Sequence, residues 1–464
     1  MTVHIHFLNS RRALVAAALA AATLTAGCVS SDRILSVEDP DIINPADVQS
    51  PAGANAVRIG ALARLNTATT GTTSGSDEGL FLLGGMLADE WINGDSFIDR
   101  QAVDQRVIQP ANSFLTTADR TINRARLSAQ QATQLLKQFS ASAPAWQPAE
   151  MYFVEAYAEN LMAEAYCNGL IFSSVVDGRE RYGSPVTDQA AFQIALAHVD
   201  SGLTMITGTT TDDVRVKNAL QVLRGRILLN MGPARYAEAA TSVAGVPTTF
   251  KYQLLESLTT ASNVFWSLNN NNRRYSVSSG EGTNGLNFST ANDPRVPVCQ
   301  GGDATCKLNG VTQASRDDLG KPFTVQLIWP TAASPVTIIS GIEARMIEAE
   351  AQQAAGSPAT AVTTLNAARA TVTGLTPLTD PGTAAAEVDQ IFRERAFWMF
   401  GTGHRLGDMR RLIRQYQRPA ESVFPTGPWH KGGNYGGDVN IPVPQAELNN
   451  PNVSNGQTCI DRNA

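Results

Sequence analysis

Apolar side chains recur every three or four residues in two separate parts of this 464-residue chain. One clear run contains Ile122, Ala125, Ala129, Ala132 and Leu136. Such spacing places an apolar stripe along one side of a helix. Comparable segments extend over about 119–245 and again over about 338–418. Because short turns separate these segments, the sequence predicts a mostly α fold of stacked, tetratricopeptide-like helix pairs.

Residues typical of helix ends support this interpretation. Thr187 and Thr383 each precede an apolar-periodic segment and can cap it. The pair Ser357-Pro358 has the N-cap and first-turn residues of another helix, and Gly232-Pro233 is a stop signal. We therefore expect helices of ordinary length joined by short turns.

A different composition separates the two helical blocks. Residues from about 246 to 337 are rich in Asn, Gly, Ser, Thr and Pro, with isolated aromatic side chains. Long irregular insertions in compact proteins usually carry function. The sequence predicts that this loop-rich insertion forms the ligand-binding face.

The N-terminal residues have the features of an export signal. Arg11 and Arg12 precede a short apolar stretch, and small residues lead to Cys28. The sequence predicts a lipoprotein signal peptide over 1–27, acyl chains on Cys28, a lipidated tether over 28–38 and a single domain over 39–464. The alternative is an ordinary cleaved signal with a bystander cysteine.

Four further cysteines follow in the exported part. Cys299 and Cys306 flank a short Gly-rich segment and are predicted to form a disulfide, which leaves Cys167 with Cys459. Free or buried thiols are the alternative for either pair. No two-residue cysteine spacing and no clustered histidines are present, so we expect no metal site and no cofactor.

Charge and motifs argue against two functional classes. The chain has 36 Lys and Arg against 42 Asp and Glu, a net charge of −6, which disfavours nucleic-acid binding. It has no phosphate-binding glycine loop and no nucleophile-elbow motif. His404 and Asp408 are better explained as part of an arginine-rich packing network. We expect a protein without catalytic residues.

Aromatic and amide side chains in polar segments are the best candidates for ligand binding. Exposed aromatic faces and hydrogen-bonding side chains are suited to hold sugars or peptides. The alternative for each Trp is a place in the core. The predicted binding residues are Trp91, Asn93 and Asp95 from an early loop and Trp266, Asn269, Arg273 and Tyr275 from the insertion, followed by Trp329, Trp429 and Tyr435.

Several motifs, in order along the chain, resemble those of the SusD/RagB family of outer-membrane nutrient-binding lipoproteins. The match covers roughly 40–460. The blocks that carry it are Glu155–Leu161 with the following Gly169 turn, Asp293-Pro294-Arg295, Glu343–Ala351 with Ala361–Arg369, Arg393–Arg395 with Gly403–Arg411, and the closing Ile441-Pro442-Val443-Pro444.

This resemblance implies a function as well as a fold. It implies a non-catalytic lipoprotein on the outer face of the outer membrane. Such a protein binds a glycan or oligosaccharide, with peptide as the other ligand class, and delivers it to a TonB-dependent outer-membrane transporter. Two alternatives belong to other classes: a helix-pair scaffold lipoprotein that binds another protein, and a surface glycan hydrolase.

Overall fold

Most of the predicted helical segments are helices in the computed structural model, which describes residues 48–176, 179–259, 261–454 and 456–464. The predicted signal peptide, Cys28 and the tether lie outside these residues. Lipidation therefore stays a prediction. Ser50–Ala464 form one compact unit.

Thirteen α-helices are present in the described residues. They are α1 Pro51–Thr70, α2 Leu80–Leu87, α3 Ile98–Asp104, α4 Ser113–Phe139, α5 Trp146–Ala165, α6 Asp188–Met205, α7 Thr211–Met231, α8 Tyr236–Val243, α9 Gly341–Ala354, α10 Pro358–Arg369, α11 Ala384–Trp398, α12 Arg405–Arg414 and α13 Ala420–Val423. Short 3₁₀ turns occupy Pro233–Arg235 and Gln445–Asn449, and one π-helical turn occupies Trp266–Asn271.

Successive helices pack against one another. α4 contacts α1 and α5, α5 contacts α6, α6 contacts α7, α7 contacts α8, and α8 contacts α9, which in turn packs on α10 and α11. The predicted mostly α fold of stacked helices is therefore confirmed. None of the helices in the described part of the chain is both long and apolar enough to cross a membrane.

The first helical block begins earlier than the sequence indicated. Helical structure starts at Pro51, and α4 starts at Ser113 rather than near 119. The buried side of α1 consists largely of small residues such as Ala54, Ala61 and Ala68. Because apolar residues also stand on its exposed side, this helix gives a weak periodic signal.

The predicted caps differ in their contacts. The Thr187 hydroxyl accepts a hydrogen bond from the Ala190 backbone N–H at 3.3 Å, and Thr383 caps α11 in the same way. Ser357 holds the N-cap position of α10 but makes no capping hydrogen bond through its side chain. Gly232, with φ of 114°, ends α7 in a conformation that favours glycine.

Outside the helices, the described residues form short antiparallel strand pairs. β6 (Lys251–Leu254) pairs with β12 (Val336–Ser340), so the insertion leaves and rejoins the helices at one place. β1 (Trp91–Asn93) pairs with β7 (Tyr275–Val277). The other pairs are β2 (Leu170–Ile171) with β5 (Pro185–Val186), β3 (Ser174–Val176) with β4 (Arg179–Arg181), β8 (Val298–Gln300) with β11 (Thr324–Gln326), and β9 (Lys307–Leu308) with β10 (Val311–Thr312).

Buried ion pairs fix α12 in the stack. The Arg405 guanidinium donates to Asp89 at 2.6 and 2.8 Å, which ties α12 to the segment after α2. Arg411 pairs with Glu350 on α9 and with Asp408 on its own helix. Because these charged groups are buried, removing either partner of a pair would leave an uncompensated charge in the interior. The arginine-rich run is thus structural, as expected from the sequence.

Two disulfides link described residues. Cys299 and Cys306 close a short loop, and Cys167 joins Cys459, 292 residues later. The second bond attaches the C-terminal tail to the segment that follows α5. The disulfide therefore holds together the two ends of the segment between residues 167 and 459.

Candidate functional site

The two segments predicted to bind ligand lie side by side, but their side chains point inward. β1 and β7 place Asn93 opposite Tyr275 and Trp91 opposite Val277. Trp91, Asn93 and Tyr275 have no exposed surface. The expectation that they lie on open loops is therefore wrong, because strand pairing turns these side chains into the core.

An aromatic stack explains the position of Trp91. Its ring is stacked on Phe265, with centroids 6.0 Å apart, and Phe265 is stacked on Trp329 at 4.2 Å. Phe400 packs against Trp91 at 4.9 Å. Trp329 and Trp429 are also buried. These three indoles lie almost wholly in the interior and are not exposed aromatic platforms.

The predicted polar residues form a buried support for the loops. Asp95 pairs with Arg100, whose Nε also donates to Glu78 at 2.6 Å. Burial raises the pKa of the Glu78 carboxyl, while Arg100 and a hydrogen bond from Tyr275 oppose that shift. Asn93 donates to Asp95 at 3.2 Å. This network positions the loops and is not itself a ligand surface.

Asn269 has a similar supporting role. Its amide donates to the Tyr275 carbonyl at 2.5 Å and accepts from the Gln326 backbone N–H at 3.0 Å. It is almost fully buried. Asn269 therefore joins the π-helical turn to β7 and β11.

Trp266, Arg273 and the later candidate Tyr435 are the predicted residues that remain partly accessible. Arg273 lies 3.0 Å from Asp318 on the surface. Phe97 was missed by sequence analysis, yet 51% of its surface is exposed and the Arg274 guanidinium carbon lies 5.8 Å from its ring centroid. Because Gly94 N–H donates to the Arg274 carbonyl at 2.7 Å, the two segments are held together. We call Phe97, Trp266, Arg273 and Arg274 the loop face.

A cleft of about 790 Å³ lies between α1, the first turns of α5 and α7, and β6. The half-buried Trp146 forms part of its wall. The guanidinium carbons of Arg58 and Arg215 lie 5.1 and 5.6 Å from the Trp146 ring centroid. Other lining side chains include Asn66, Thr67, Thr70, Thr72, Thr73, Lys251, Gln253 and Leu255.

Glu150 fixes the polar groups of this cleft. Its carboxylate accepts from Arg58 at 2.5 Å, from Arg215 at 2.8 Å and from the Tyr252 hydroxyl at 2.9 Å. Burial lowers the pKa of Arg215, but the charges of Glu150 and Tyr252, together with the hydrogen bonds that Arg215 donates to carboxylates, outweigh burial and raise it. The Arg215 guanidinium therefore stays charged, and Glu150 holds both guanidinium groups over the indole. With Lys251, the lining carries three cationic side chains and one carboxylate.

The loop after α1 connects the cleft with the loop face. Thr72 and Thr73 line the cleft. The Thr73 carbonyl accepts from Ser267 at 3.3 Å, and the Ser74 carbonyl accepts from Arg274 at 2.8 Å. The two surfaces are therefore neighbours that share one loop.

Sequence analysis did not single out Trp146 because no local pattern distinguishes it. It stands at the beginning of α5, two residues before Pro148, in a segment interpreted only as a helix start. Its partners Arg58 and Arg215 come from α1 and α7. A large aromatic residue at a polar helix start was the one available signal.

No protein-family model and no curated protein matches this chain. Several solved structures, however, are similar to the fold of this chain. A SusD superfamily protein from Parabacteroides distasonis ATCC 8503 covers 87% of this chain and 98% of its own, with a TM-score of 0.65 at 13% identity. One from Bacteroides vulgatus ATCC 8482 covers 88% and 98%, with a TM-score of 0.60 at 14% identity.

A third similar structure is a SusD-like carbohydrate binding protein from Bacteroides vulgatus ATCC 8482. It covers 78% of this chain and 83% of its own, with a TM-score of 0.57 at 12% identity. The helical stack, the inserted strand pairs and these similarities agree with the resemblance found in the sequence. The chain has the fold of the SusD superfamily.

Proposed function

We propose that this protein binds a glycan outside the cell, in the Trp146 cleft and on the adjoining loop face. The observation that carries this proposal is the partly exposed indole with two guanidinium groups held over its ring, which leaves the rest of the indole edge and face to a ligand. A sugar ring can pack its C–H face on an indole while its hydroxyl oxygens accept hydrogen bonds from arginine. The similar carbohydrate binding protein from Bacteroides vulgatus supports the same ligand class.

Pre-organisation favours binding at this cleft. Because Glu150 already orients Arg58 and Arg215, the ligand does not have to order these side chains. Threonine hydroxyls and the Asn66 amide supply further polar contacts along α1. The cationic excess favours a glycan that carries carboxylate groups over a neutral one.

We propose binding without catalysis. Glycoside hydrolysis commonly uses two carboxylates on either side of the scissile bond. Among the described residues that line the cleft, Glu150 is the one carboxylate, and three donors already occupy it. This arrangement favours a binding protein over a surface glycan hydrolase.

The proposal includes an anchor and a partner. Acyl chains on Cys28 would hold the protein on the outer face of the outer membrane, and a TonB-dependent transporter would receive the glycan. The family resemblance supports both statements. Mass spectrometry of the mature N-terminus tests the anchor, and co-purification with a large β-barrel tests the partner.

Affinity electrophoresis through gels that contain single polysaccharides tests the ligand class. We expect retardation by at least one glycan, stronger for uronic-acid polymers at low salt, with no release of reducing sugar. Retention by immobilised peptides instead would indicate a peptide ligand. Release of reducing sugar would indicate a hydrolase, and binding only to another protein would indicate a scaffold; each of these results contradicts the proposal.

Replacing Trp146 with Ala is expected to weaken glycan binding about tenfold or more. Loss of an aromatic platform removes roughly 1–2 kcal/mol of binding free energy. Calorimetric titration with an oligosaccharide from the retarding polymer measures this change. Trp266→Ala tests the loop face in the same assay, and circular dichroism verifies that both variants are folded. Unchanged affinity in the folded Trp146 variant would remove the cleft from the site.

A further inference from the structure

Two buried carboxylates and one histidine meet where α5 packs on α6. Glu155 and Glu159 are one turn apart on α5, and His198 faces them from α6. His198 Nδ1 lies 2.7 Å from Glu159 Oε2, and its Nε2 lies 3.8 Å from Glu155 Oε1. One potential ligand atom from each side chain lies within 4.8 Å of the other two.

This cluster is incompletely satisfied. Glu155 is 2% exposed and Glu159 is fully buried. Among the described residues, Oε1 of each carboxylate has no hydrogen-bond partner. Arg126 Nη1 lies 4.0 Å from Glu159 Oε1, which makes an ion pair but no hydrogen bond. Buried carboxylate oxygens without partners are costly, so the site favours an additional positive group.

A proton on His198 does not meet this need. Protonated His198 can donate to Glu159 at 2.7 Å, but the distance of 3.8 Å to Glu155 is too long for a hydrogen bond. Protonated His198 can therefore compensate the charge of Glu159 by a hydrogen bond, but it makes no hydrogen bond to Glu155.

We propose that Glu155, Glu159 and His198 bind a divalent first-row transition ion such as Zn²⁺. One imidazole nitrogen and two carboxylate oxygens are ligands that Zn²⁺ accepts, and catalytic and open zinc sites use three protein ligands with a water. The His198 side chain is 27% exposed, so solvent can reach the fourth position. Bound there, the ion cross-links α5 and α6.

The expectation of no metal site came from spacing along the chain. Glu159 and His198 are 39 residues apart, on different helices, so no local motif joins them. Only the packing of α5 on α6 brings the three side chains together. Arg126, which faces the same carboxylates from α4, lowers the affinity through its charge but leaves a net negative ligand set.

Zinc binding to the purified protein tests this inference. After dialysis against micromolar Zn²⁺ with millimolar Mg²⁺ and Ca²⁺, mass-spectrometric metal analysis should find one equivalent of zinc. His198→Gln and Glu155→Gln should each weaken zinc binding at least tenfold. His430→Gln is the matched control. His430 also lies 2.7 Å from a buried carboxylate, that of Asp104, but among the described residues it does not belong to a group of three potential metal ligands.

Thermal melts provide the second measurement. Zinc should raise the melting temperature of the wild type and of His430→Gln, and should not raise that of folded His198→Gln. Because His198 is partly exposed, this variant is expected to fold even where Glu155→Gln does not. Absence of retained zinc in the wild type, or zinc binding that survives His198→Gln, overturns the proposal. These results do not depend on glycan binding.

Discussion

Replacing Trp91 with Ala is expected to lower the free energy of unfolding by about 3–5 kcal/mol, the cost of removing a large aromatic side chain from a close-packed core. Trp91 has no exposed surface and packs on Phe265 and Phe400. Gly85 also approaches the ring closely, since a Cβ there would lie 2.6 Å from Trp91 Cδ1. Chemical denaturation followed by circular dichroism measures the change.

Trp266→Ala is the matched control for this prediction. Trp266 is only partly buried, so its loss should cost roughly 1 kcal/mol of unfolding free energy. The two tryptophans were indistinguishable in the sequence, since each precedes a polar, Asn-containing run. Equal stability of the two variants would contradict the buried position of Trp91.

Replacing Glu90 with Gln should remove a pH-dependent loss of stability. Glu90 is fully buried; its Oε1 accepts from the Gly401 backbone N–H at 2.8 Å, and its Oε2 has no hydrogen-bond partner among the described residues. Burial raises the pKa of this carboxyl to about 8, with a smaller contribution from Asp89. In the unfolded chain, its pKa is about 4.3–4.5.

The direction of this pH dependence follows from which state, folded or unfolded, binds the proton on Glu90. Below about pH 4.5 the carboxyl is protonated in both states and its contribution to stability is fully present. Between about pH 4.5 and 8 the folded state binds the extra proton, so rising pH lowers stability by up to about 1.4 kcal/mol per pH unit. Glu90→Gln should therefore gain stability relative to wild type as pH rises from 5 to 8, by a few kcal/mol.

Denaturation at several pH values measures this difference. Glu421→Gln, a change on the exposed face of α13, serves as the control and should follow the wild type closely. Parallel pH profiles of wild type and Glu90→Gln would show that Glu90 does not keep a proton in the folded chain.

Local periodicity was enough to predict the helical stack. The stripe on α4 and the caps at Thr187 and Thr383 are local features, so they can be read without knowledge of the fold. The motifs that indicated the family resemblance are also short local patterns, spread along the chain from 155 to 444. Weakly patterned α1 was the exception, because apolar residues such as Ile59 also stand on its exposed side.

The burial of individual loop residues could not be predicted in this way. Trp91 stands in a polar segment that resembles an exposed loop, and only its pairing with β7 turns it inward. Tyr275 and Glu78, which share a buried hydrogen bond, are 197 residues apart. The Trp146 cleft likewise depends on side chains from α1, α5 and α7, which only tertiary packing brings together.

The most direct test of the account is a hydrogen-exchange footprint of the protein with and without the glycan that retards it in the gel. We expect slower exchange in the peptides that line the cleft, around residues 58–73, 146–150 and 251–255, and on the loop face. Trp146→Ala should lose this protection at the same glycan concentration. Measured binding that leaves these peptides unprotected would contradict the proposed site.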